Sequence, residues 1–118
     1  MLRNLEIRPL EEDDVARIFA AFRSLGWDKP RSQYERYLSE QKEGSRTTFV
    51  AFYGRDFAGY VTVNRRPSYP PFRADGIPEI QDFNVLPQFR RRRIGTRLLD
   101  EAERESRNAP ASRVSAWA

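Results

Sequence analysis

The sequence predicts one α/β domain built on a mixed (α+β) sheet, spanning residues 1–118 in the order β-α-α-β-β-β-α-(β). Three observations support this. Runs with a two-residue apolar alternation and runs with helical spacing follow one another, glycines and prolines separate them, and no linker or internal repeat divides the chain. A chain of 118 residues is long enough for one domain with a buried core and too short for two.

The first strand and helix are indicated by residues 3–26. Residues 3–9 alternate apolar and polar and end on proline, which predicts a short strand. Acidic residues at 11–14 then favour a helix N-terminus, and apolar residues recur at helical spacing from Val15 to Leu25. Gly26 is predicted to close this helix.

A second helix is predicted after Pro30. Ser32 and Glu35 have the capping-box spacing, and the helix is expected to end at Gly44. Its apolar side carries Tyr34, Tyr37 and Leu38.

The pattern then changes to strands. Residues 47–53 and 57–63 are rich in β-forming residues and are joined by Gly54-Arg55-Asp56, which predicts a hairpin. The proline-rich residues 64–78 are predicted to be an irregular connection, and residues 79–85 a further strand. A third helix is marked by Ile94, Leu98, Leu99 and Ala102, and residues 114–118 are expected to begin another strand.

Composition narrows the possible chemistry. The chain has no cysteine and no histidine, which excludes thiolate nucleophiles, disulfides and imidazole catalysis or metal ligation. The net charge of +4 attracts polyanions, whether nucleic acid, a membrane surface or cofactor phosphates. No apolar segment has the length of a membrane span or of a signal sequence, so a cytoplasmic location is expected.

The strongest local signal lies where the strand at 79–85 passes through a turn into the third helix. Pro87 ends the strand ladder, Gly95 allows close approach of a ligand to the first helical turn, and Thr96 adds a hydroxyl donor. The unpaired N–H groups of a helix N-terminus form an anion site that suits a pyrophosphate. The arginine run that ends this turn, Arg90 to Arg93, could also be only a solvated face.

This segment resembles the acetyl-CoA motif of GNAT acetyltransferases, whose turn pattern is Arg/Gln-x-x-Gly-x-Gly/Ala. Arg90 fills its first position and Gly95 its last, while Arg93 stands where the family usually has its first glycine. Residues 7–10 with Asp14, and residues 58–61, are similar to the family's N-terminal half. The resemblance covers essentially the whole chain as far as Arg107.

The resemblance implies a GNAT-like acyl-CoA N-acyltransferase fold that binds acetyl-CoA as co-substrate and needs no metal. A backbone N–H near Val85 would bond the thioester carbonyl, and such a donor typically contributes about 3–4 kcal/mol to the transition state. The pantetheine arm would pair with the strand around Phe83 and Asn84. The implied pyrophosphate site comprises Arg90, Arg91, Arg92, Arg93, Ile94, Gly95 and Thr96.

An acceptor amine is protonated at neutral pH, so a carboxylate base is needed near the acetyl group. The fourth strand offers Glu79 and Asp82. Side chains alternate along a strand, so these two are expected on opposite faces, with only one facing the cleft, unless a bulge intervenes. The resemblance favours Glu79 as the base, with Asp82 in reserve, and either one could be merely solvent-facing.

The family carries further strands and a helix after the third helix, with a tyrosine that commonly protonates the leaving thiolate. The last tyrosine here is Tyr69, so either the domain is incomplete or a partner chain supplies these elements, and a homodimer is expected. The leading hypothesis is an N-acetyltransferase acting on a small-molecule or protein amine. A catalytically silent acyl-CoA-binding module and, with less support, a small basic nucleic-acid binder are the alternatives.

Overall fold

A computed structural model of the chain describes residues 4–65 and 79–107. The elements follow the predicted order, which is confirmed through the third helix. The predicted strand at 114–118 lies outside the described residues. The elements are β1 (Leu5–Pro9), α1 (Asp14–Ser24), α2 (Arg31–Glu43), β2 (Arg46–Tyr53), β3 (Asp56–Asn64), β4 (Glu79–Val85), a 3₁₀ turn (Pro87–Phe89) and α3 (Ile94–Arg107).

The four strands form one antiparallel sheet in the order β1-β2-β3-β4. The predicted hairpin is present: Tyr53 pairs with Asp56, and Gly54 has a positive φ of 64°. That conformation matches the twist of the flanking strands in a two-residue hairpin loop. Strand order therefore follows chain order, and β4 leads directly into the turn that precedes α3.

The link between β1 and α1 is held by a partly buried ion pair. The Arg8 guanidinium donates to both Asp14 carboxylate oxygens at 2.7 and 2.9 Å, and the Glu11 N–H donates to the same side chain at 2.8 Å. The hydrogen bond to Asp14 raises the pKa of Arg8. Asp14 thus fixes the start of α1 against the first strand as well as complementing the helix dipole.

The helices cover both faces of the sheet. On β2, Arg46 donates to Glu40 of α2 at 2.6 Å. Thr47 points the other way, toward Arg65, which pairs with Glu105 of α3. Because neighbouring residues of a strand face opposite sides, one face of the sheet is the α2 face and the other is the α3 face.

An aromatic cluster fills the α2 face. Phe22 of α1 is fully buried and packs against Trp27, Tyr34, Phe57 and Tyr60, with ring centroids 5.4 to 6.2 Å apart. Phe22 is a core residue, while Phe19 and Trp27 are only half-buried. These contacts hold α1 and α2 at fixed positions over β3.

The capping box predicted at Ser32 and Glu35 does not begin α2. The helix begins at Arg31, and Pro30 takes the N-cap position with an extended ψ of 139° and no side-chain cap. The capping box at Ser32 does not form, because proline's restricted φ of −68° already sets the backbone for entry into the helix. Glu35 instead accepts from Arg31 at 3.3 Å.

None of the helices in the described ranges has both the length and the apolar character needed to cross a bilayer. The expected cytoplasmic location and homodimer stay predictions.

Candidate functional site

A β-bulge in β4 shapes the centre of the site. Opposite β3, Tyr60 pairs with Asn84 but Thr62 pairs with Gln81, so β4 has one extra residue in this stretch. The extra residue coincides with Asp82, whose φ is +47°. Aspartate tolerates this left-handed conformation better than most residues.

The bulge changes where the two candidate carboxylates point. Gln81 accepts from Arg46 on the α2 face and donates to Glu79 at 2.6 Å, so Glu79 lies on that face. Asp82 also bonds to residues of α2. The prediction that Glu79 and Asp82 lie on opposite faces is wrong, because the bulge adds one residue to β4 between them and so places both side chains on the same face. Both carboxylates therefore face α2.

Asp82 is held by three neutral donors. Its Oδ2 atom accepts from the Tyr37 hydroxyl at 2.5 Å, the Tyr60 hydroxyl at 2.9 Å and the Gln33 amide at 2.9 Å. The Asn84 amide lies 3.4 Å from Oδ1. We call Asp82 and its three donors to Oδ2 the Asp82 cage. Its members come from α2, β3 and β4, so it orients one carboxylate from three elements.

Burial keeps the tyrosines of this region protonated. It raises the pKa of Tyr34 to about 12, and the Tyr34 hydroxyl lies 3.4 Å from that of Tyr60. Burial also raises the pKa of Tyr37, with a further contribution from its hydrogen bond to Asp82. The pKa of Tyr60 is raised for the same first reason. All three phenols are therefore available as hydrogen-bond donors at neutral pH.

The turn between β4 and α3 has an unusual backbone. Arg91 and Arg93 both have left-handed φ, +64° and +63°. Arg93 thus adopts the conformation that glycine favours at the position where the motif usually has glycine. Arg93 is accommodated without a change of fold, although the left-handed backbone conformation costs free energy in any residue that has a β-carbon. All four arginines of the run are exposed.

An open pocket of about 580 Å³ lies between this turn, the end of β4 and the first turn of α3. It is lined by eight of the ten residues predicted to bind the cofactor, together with Phe89. The eight are Phe83, Asn84, Val85, Arg90, Arg91, Arg93, Gly95 and Thr96, and Arg92 and Ile94 are the two of the predicted set that do not line it. Phe83 is 40% exposed, so an apolar ring borders the basic turn.

These eight residues lie at the end of β4, in the turn and in the first turn of α3. Their side chains surround the N-terminus of α3, whose first N–H groups have no acceptor within the helix. The pocket therefore combines a helix dipole, guanidinium groups and an apolar wall, which suits a ligand with both phosphates and an apolar arm.

The two remaining predicted residues have other surroundings. The Arg92 guanidinium lies over the rings of Tyr53 and Phe89, 5.6 and 5.8 Å from their centroids. The Ile94 side chain is 1% exposed and belongs to the core. Arg90 lines the pocket but folds back so that its Nε donates to the Val85 carbonyl at 3.0 Å. Arg91 and Arg93 also line the pocket but, unlike Arg90 and Arg92, have no described side-chain contact elsewhere.

Two glycines allow β4 to pack closely against its neighbours. A β-carbon at Gly59 of β3 would lie 2.5 Å from the Asn84 carbonyl oxygen. At Gly95 of α3, a β-carbon would lie 3.0 Å from the Phe83 ring and 3.5 Å from Val85. The close approach on both sides sets the position of residues 83–85, which border both the pocket and the Asp82 cage.

Tyr37, Tyr60 and Gln33 were not predicted as site residues. In the sequence pattern Tyr37 lies on the apolar side of its predicted helix, and Tyr60 lies in a predicted strand. The hydroxyl of a buried tyrosine needs a hydrogen-bond partner. Tyrosines at otherwise apolar positions of a predicted helix or strand can therefore indicate a buried polar site. Within the described ranges, no group of three or more acidic side chains is placed to hold a metal ion.

Sequence comparison identifies a family. Residues 12–118 match the profile of the Acetyltransferase (GNAT) family. Among proteins with curated functions, none is significantly similar in sequence to this chain.

Solved structures share the fold. An acetyltransferase from Trypanosoma brucei is 21% identical with a TM-score of 0.72, and the match covers 97% of this chain and 82% of that one. Glucosamine-6-phosphate N-acetyltransferase from Arabidopsis thaliana is 16% identical with a TM-score of 0.72, covering 97% and 82%. Aminoglycoside 6'-N-acetyltransferase from Acinetobacter haemolyticus is 16% identical with a TM-score of 0.73, covering 96% and 79%. Together with the family match, this shows that the chain belongs to the GNAT family of acetyltransferases.

Proposed function

We propose that this protein transfers the acetyl group of acetyl-CoA to a primary amine. The observation that carries the proposal is the pocket between β4 and α3, where Arg91 and Arg93 border the helix N-terminus. A carboxylate-bearing face lies on the opposite side of the same strand. One strand thus separates a site for a polyanionic donor from a site for a basic acceptor.

The pocket residues fit the two halves of a CoA molecule. A guanidinium group can form two parallel hydrogen bonds to a phosphate, and the free N–H groups of a helix N-terminus also bind anions. Both therefore suit a pyrophosphate. The exposed Phe83 ring and the edge of β4 at Asn84 and Val85 suit the pantetheine arm. Gly95 leaves the Phe83 ring room beside the helix.

The chemistry then needs one base. We assign Glu79, which is half-buried on the α2 face and accepts a hydrogen bond from Gln81, with Asp82 as the second candidate. Glu79 would take a proton from the acceptor ammonium. The amine nitrogen then bonds to the carbonyl carbon and gives up a second proton, the carbon–sulfur bond breaks, and the leaving thiolate takes up that proton.

Binding of the donor is the first test. Thermal unfolding is followed with acetyl-CoA, CoA and duplex DNA added separately. A ligand at a hundredfold its Kd should stabilise the protein by about 2.7 kcal/mol. We expect stabilisation by both CoA species and none by DNA. Stabilisation by DNA alone would contradict the proposal and favour the nucleic-acid binder.

Release of free thiol is the second test. Acetyl-CoA is incubated with a panel of amines that includes aminoglycosides, amino-sugar phosphates, polyamines and peptides. Aminoglycosides and amino-sugar phosphates are included because two proteins of similar fold are named as N-acetyltransferases of such compounds. We expect thiol release with at least one amine and its loss in Glu79→Gln. Tight CoA binding without release for any amine would favour the silent acyl-CoA-binding module.

A further inference from the structure

Val85 presents its backbone polar groups at the free edge of β4. The Leu86 N–H donates to the Ala58 carbonyl at 2.8 Å, so Leu86 and Ala58 form a hydrogen-bonded pair between β4 and β3. Such pairs alternate with non-hydrogen-bonded pairs along an antiparallel ladder, and Val85 opposite Gly59 is therefore of the second kind. The N–H and the carbonyl of Val85 thus point away from β3, to the side on which no other described strand lies.

The side chain of Arg90 occupies this carbonyl. Its Nε donates to the Val85 oxygen at 3.0 Å. The Arg90 side chain is exposed and lines the basic pocket. None of the ion pairs between described residues includes it. A charged donor with no acidic partner is therefore held on a neutral acceptor at the surface.

A ligand arm that pairs with the edge of β4 needs the same carbonyl. A pantetheine arm carries two amide groups, and an extended ligand adds to a sheet edge through the free N–H and carbonyl groups of the strand. With Arg90 in place, the Val85 N–H is accessible but the Val85 carbonyl already has a donor. The Arg90 side chain also stands in the space that the arm enters, since it lines the pocket. Arg90 and an amide N–H of the arm therefore compete for one oxygen.

Phosphate groups would draw Arg90 away from this oxygen. The pocket places Arg90 with Arg91 and Arg93 around the N-terminus of α3. A hydrogen bond between a guanidinium and a phosphate joins two charged groups and is stronger than one to a neutral carbonyl. A ligand with a pyrophosphate thus converts Arg90 from a competitor into a binding residue. A ligand that lacks phosphates must displace Arg90 without that compensation.

We propose that Arg90 is a specificity-determining residue, which makes the site accept thioesters of CoA and reject phosphate-free thioesters of pantetheine. The inference rests on the proposed function, which assigns the arm to β4. Arg90 acts twice, because it binds the phosphates when they are present and blocks the Val85 carbonyl when they are absent. The two halves of CoA therefore bind with positive coupling.

The affinities of two ligands test this role without turnover. The wild type, Arg90→Ala and Arg91→Ala are titrated with CoA and with pantetheine, and amide chemical shifts are followed. In Arg90→Ala we expect pantetheine to bind about fivefold more tightly and CoA about tenfold more weakly. Arg91 is the matched control, because it lines the same pocket but has no described contact with β4. Arg91→Ala should weaken CoA binding and leave pantetheine affinity unchanged. Unchanged or weaker pantetheine binding in Arg90→Ala, or an equal gain in Arg91→Ala, would overturn the proposal.

Coupling in the unmodified protein is a second measurement. Saturating inorganic pyrophosphate should tighten pantetheine binding to the wild type about fivefold, and pantetheine should tighten pyrophosphate binding by the same factor. In Arg90→Ala this coupling should disappear. Absence of tightening in the wild type, or equal tightening in the variant, would refute the role of Arg90.

Failure of this inference is distinguishable from failure of the proposed function. If the inference alone is wrong, the wild type binds CoA and releases thiol, while pantetheine affinity does not depend on Arg90. If acetyl transfer alone is wrong, no amine releases thiol, yet Arg90→Ala still changes the two affinities in opposite directions. Absence of CoA binding by the wild type would overturn both.

Discussion

The two sides of β4 hold charge in opposite ways. On the α3 side, Arg91 and Arg93 are exposed and border an open pocket. On the α2 side, Asp82 is half-buried and receives three hydrogen bonds on one oxygen. Exposed arginines suit a flexible polyanion that is held by several contacts, whereas an oriented carboxylate suits one cation at one position.

The two regions nevertheless share a backbone feature. Asp82, Arg91 and Arg93 are the non-glycine residues with positive φ in the described part of the chain. Left-handed backbone at such residues costs free energy and tends to occur at functional sites. The difference is in what supports it: three elements hold Asp82 in the cage, while the arginine turn relies on Arg90 and Arg92 contacts at its edges.

The largest effect we expect is a loss of stability at high pH, caused by the buried tyrosines on the α2 side of β4. Burial raises the pKa of Tyr34 to about 12, from an ordinary value of 10. Below pH 10 the phenol is protonated in both the folded and the unfolded chain. Above it, the unfolded chain loses the proton first, so the free energy of unfolding should fall as pH rises from 10 to 12. Tyr37 and Tyr60 act in the same direction.

Urea unfolding at pH 9 to 12 measures this loss. The Tyr34→Phe variant has no phenol to ionise there, so its stability should fall less steeply over the same range. An equally steep fall would show that Tyr34 does not contribute to the loss.

Gly59→Ala should disturb both sides at once. The new β-carbon would lie 2.5 Å from the Asn84 carbonyl oxygen, so β3 and β4 must separate. We expect a loss of about 2 kcal/mol in the free energy of unfolding, together with weaker binding of CoA. Denaturant unfolding measures the loss of stability, and titration calorimetry measures the affinity for CoA.

Gly26→Ala is the control, because nothing lies within 4 Å of its added β-carbon. It should lower stability through its positive φ of 75° but leave CoA affinity unchanged. Equal loss of CoA affinity in both variants would mean that the effect is not due to the position of β4.

Removing the arginine charges should affect the donor side alone. Arg91→Gln combined with Arg93→Gln should weaken CoA binding at least tenfold, since a hydrogen bond to a charged group contributes about 1.5–3 kcal/mol. The salt dependence of binding should also decrease. Arg92→Gln is the matched control, because Arg92 stacks on Tyr53 and Phe89, and we expect a change of less than threefold. A larger effect from Arg92 would invalidate the division of roles.

The donor side was more predictable from sequence than the acceptor side, and the reason is distance along the chain. The turn from Pro87 to Thr96 is a local feature, so its residue types and spacing were enough to predict a strand, a turn and a helix start. The Asp82 cage joins residues far apart, with Tyr37 and Asp82 separated by 45 positions. Sequence alternation also could not show the bulge, which depends on how β4 pairs with β3.

The smallest expected effect concerns Arg93 itself. Its φ of +63° favours glycine, so Arg93→Gly should relieve strain. Left-handed backbone costs a non-glycine residue roughly 1–2 kcal/mol, and the greater chain entropy of glycine offsets about 0.5–1 kcal/mol of that gain. A net stabilisation of about 0.5–1 kcal/mol is expected in urea unfolding. Arg92→Gly is the control: Arg92 is not among the residues with positive φ, and its ring contacts would be lost, so this variant should be less stable than the wild type. If both variants lost stability equally, the turn would not be strained at Arg93, and the arginine there would be as well accommodated as the family's glycine.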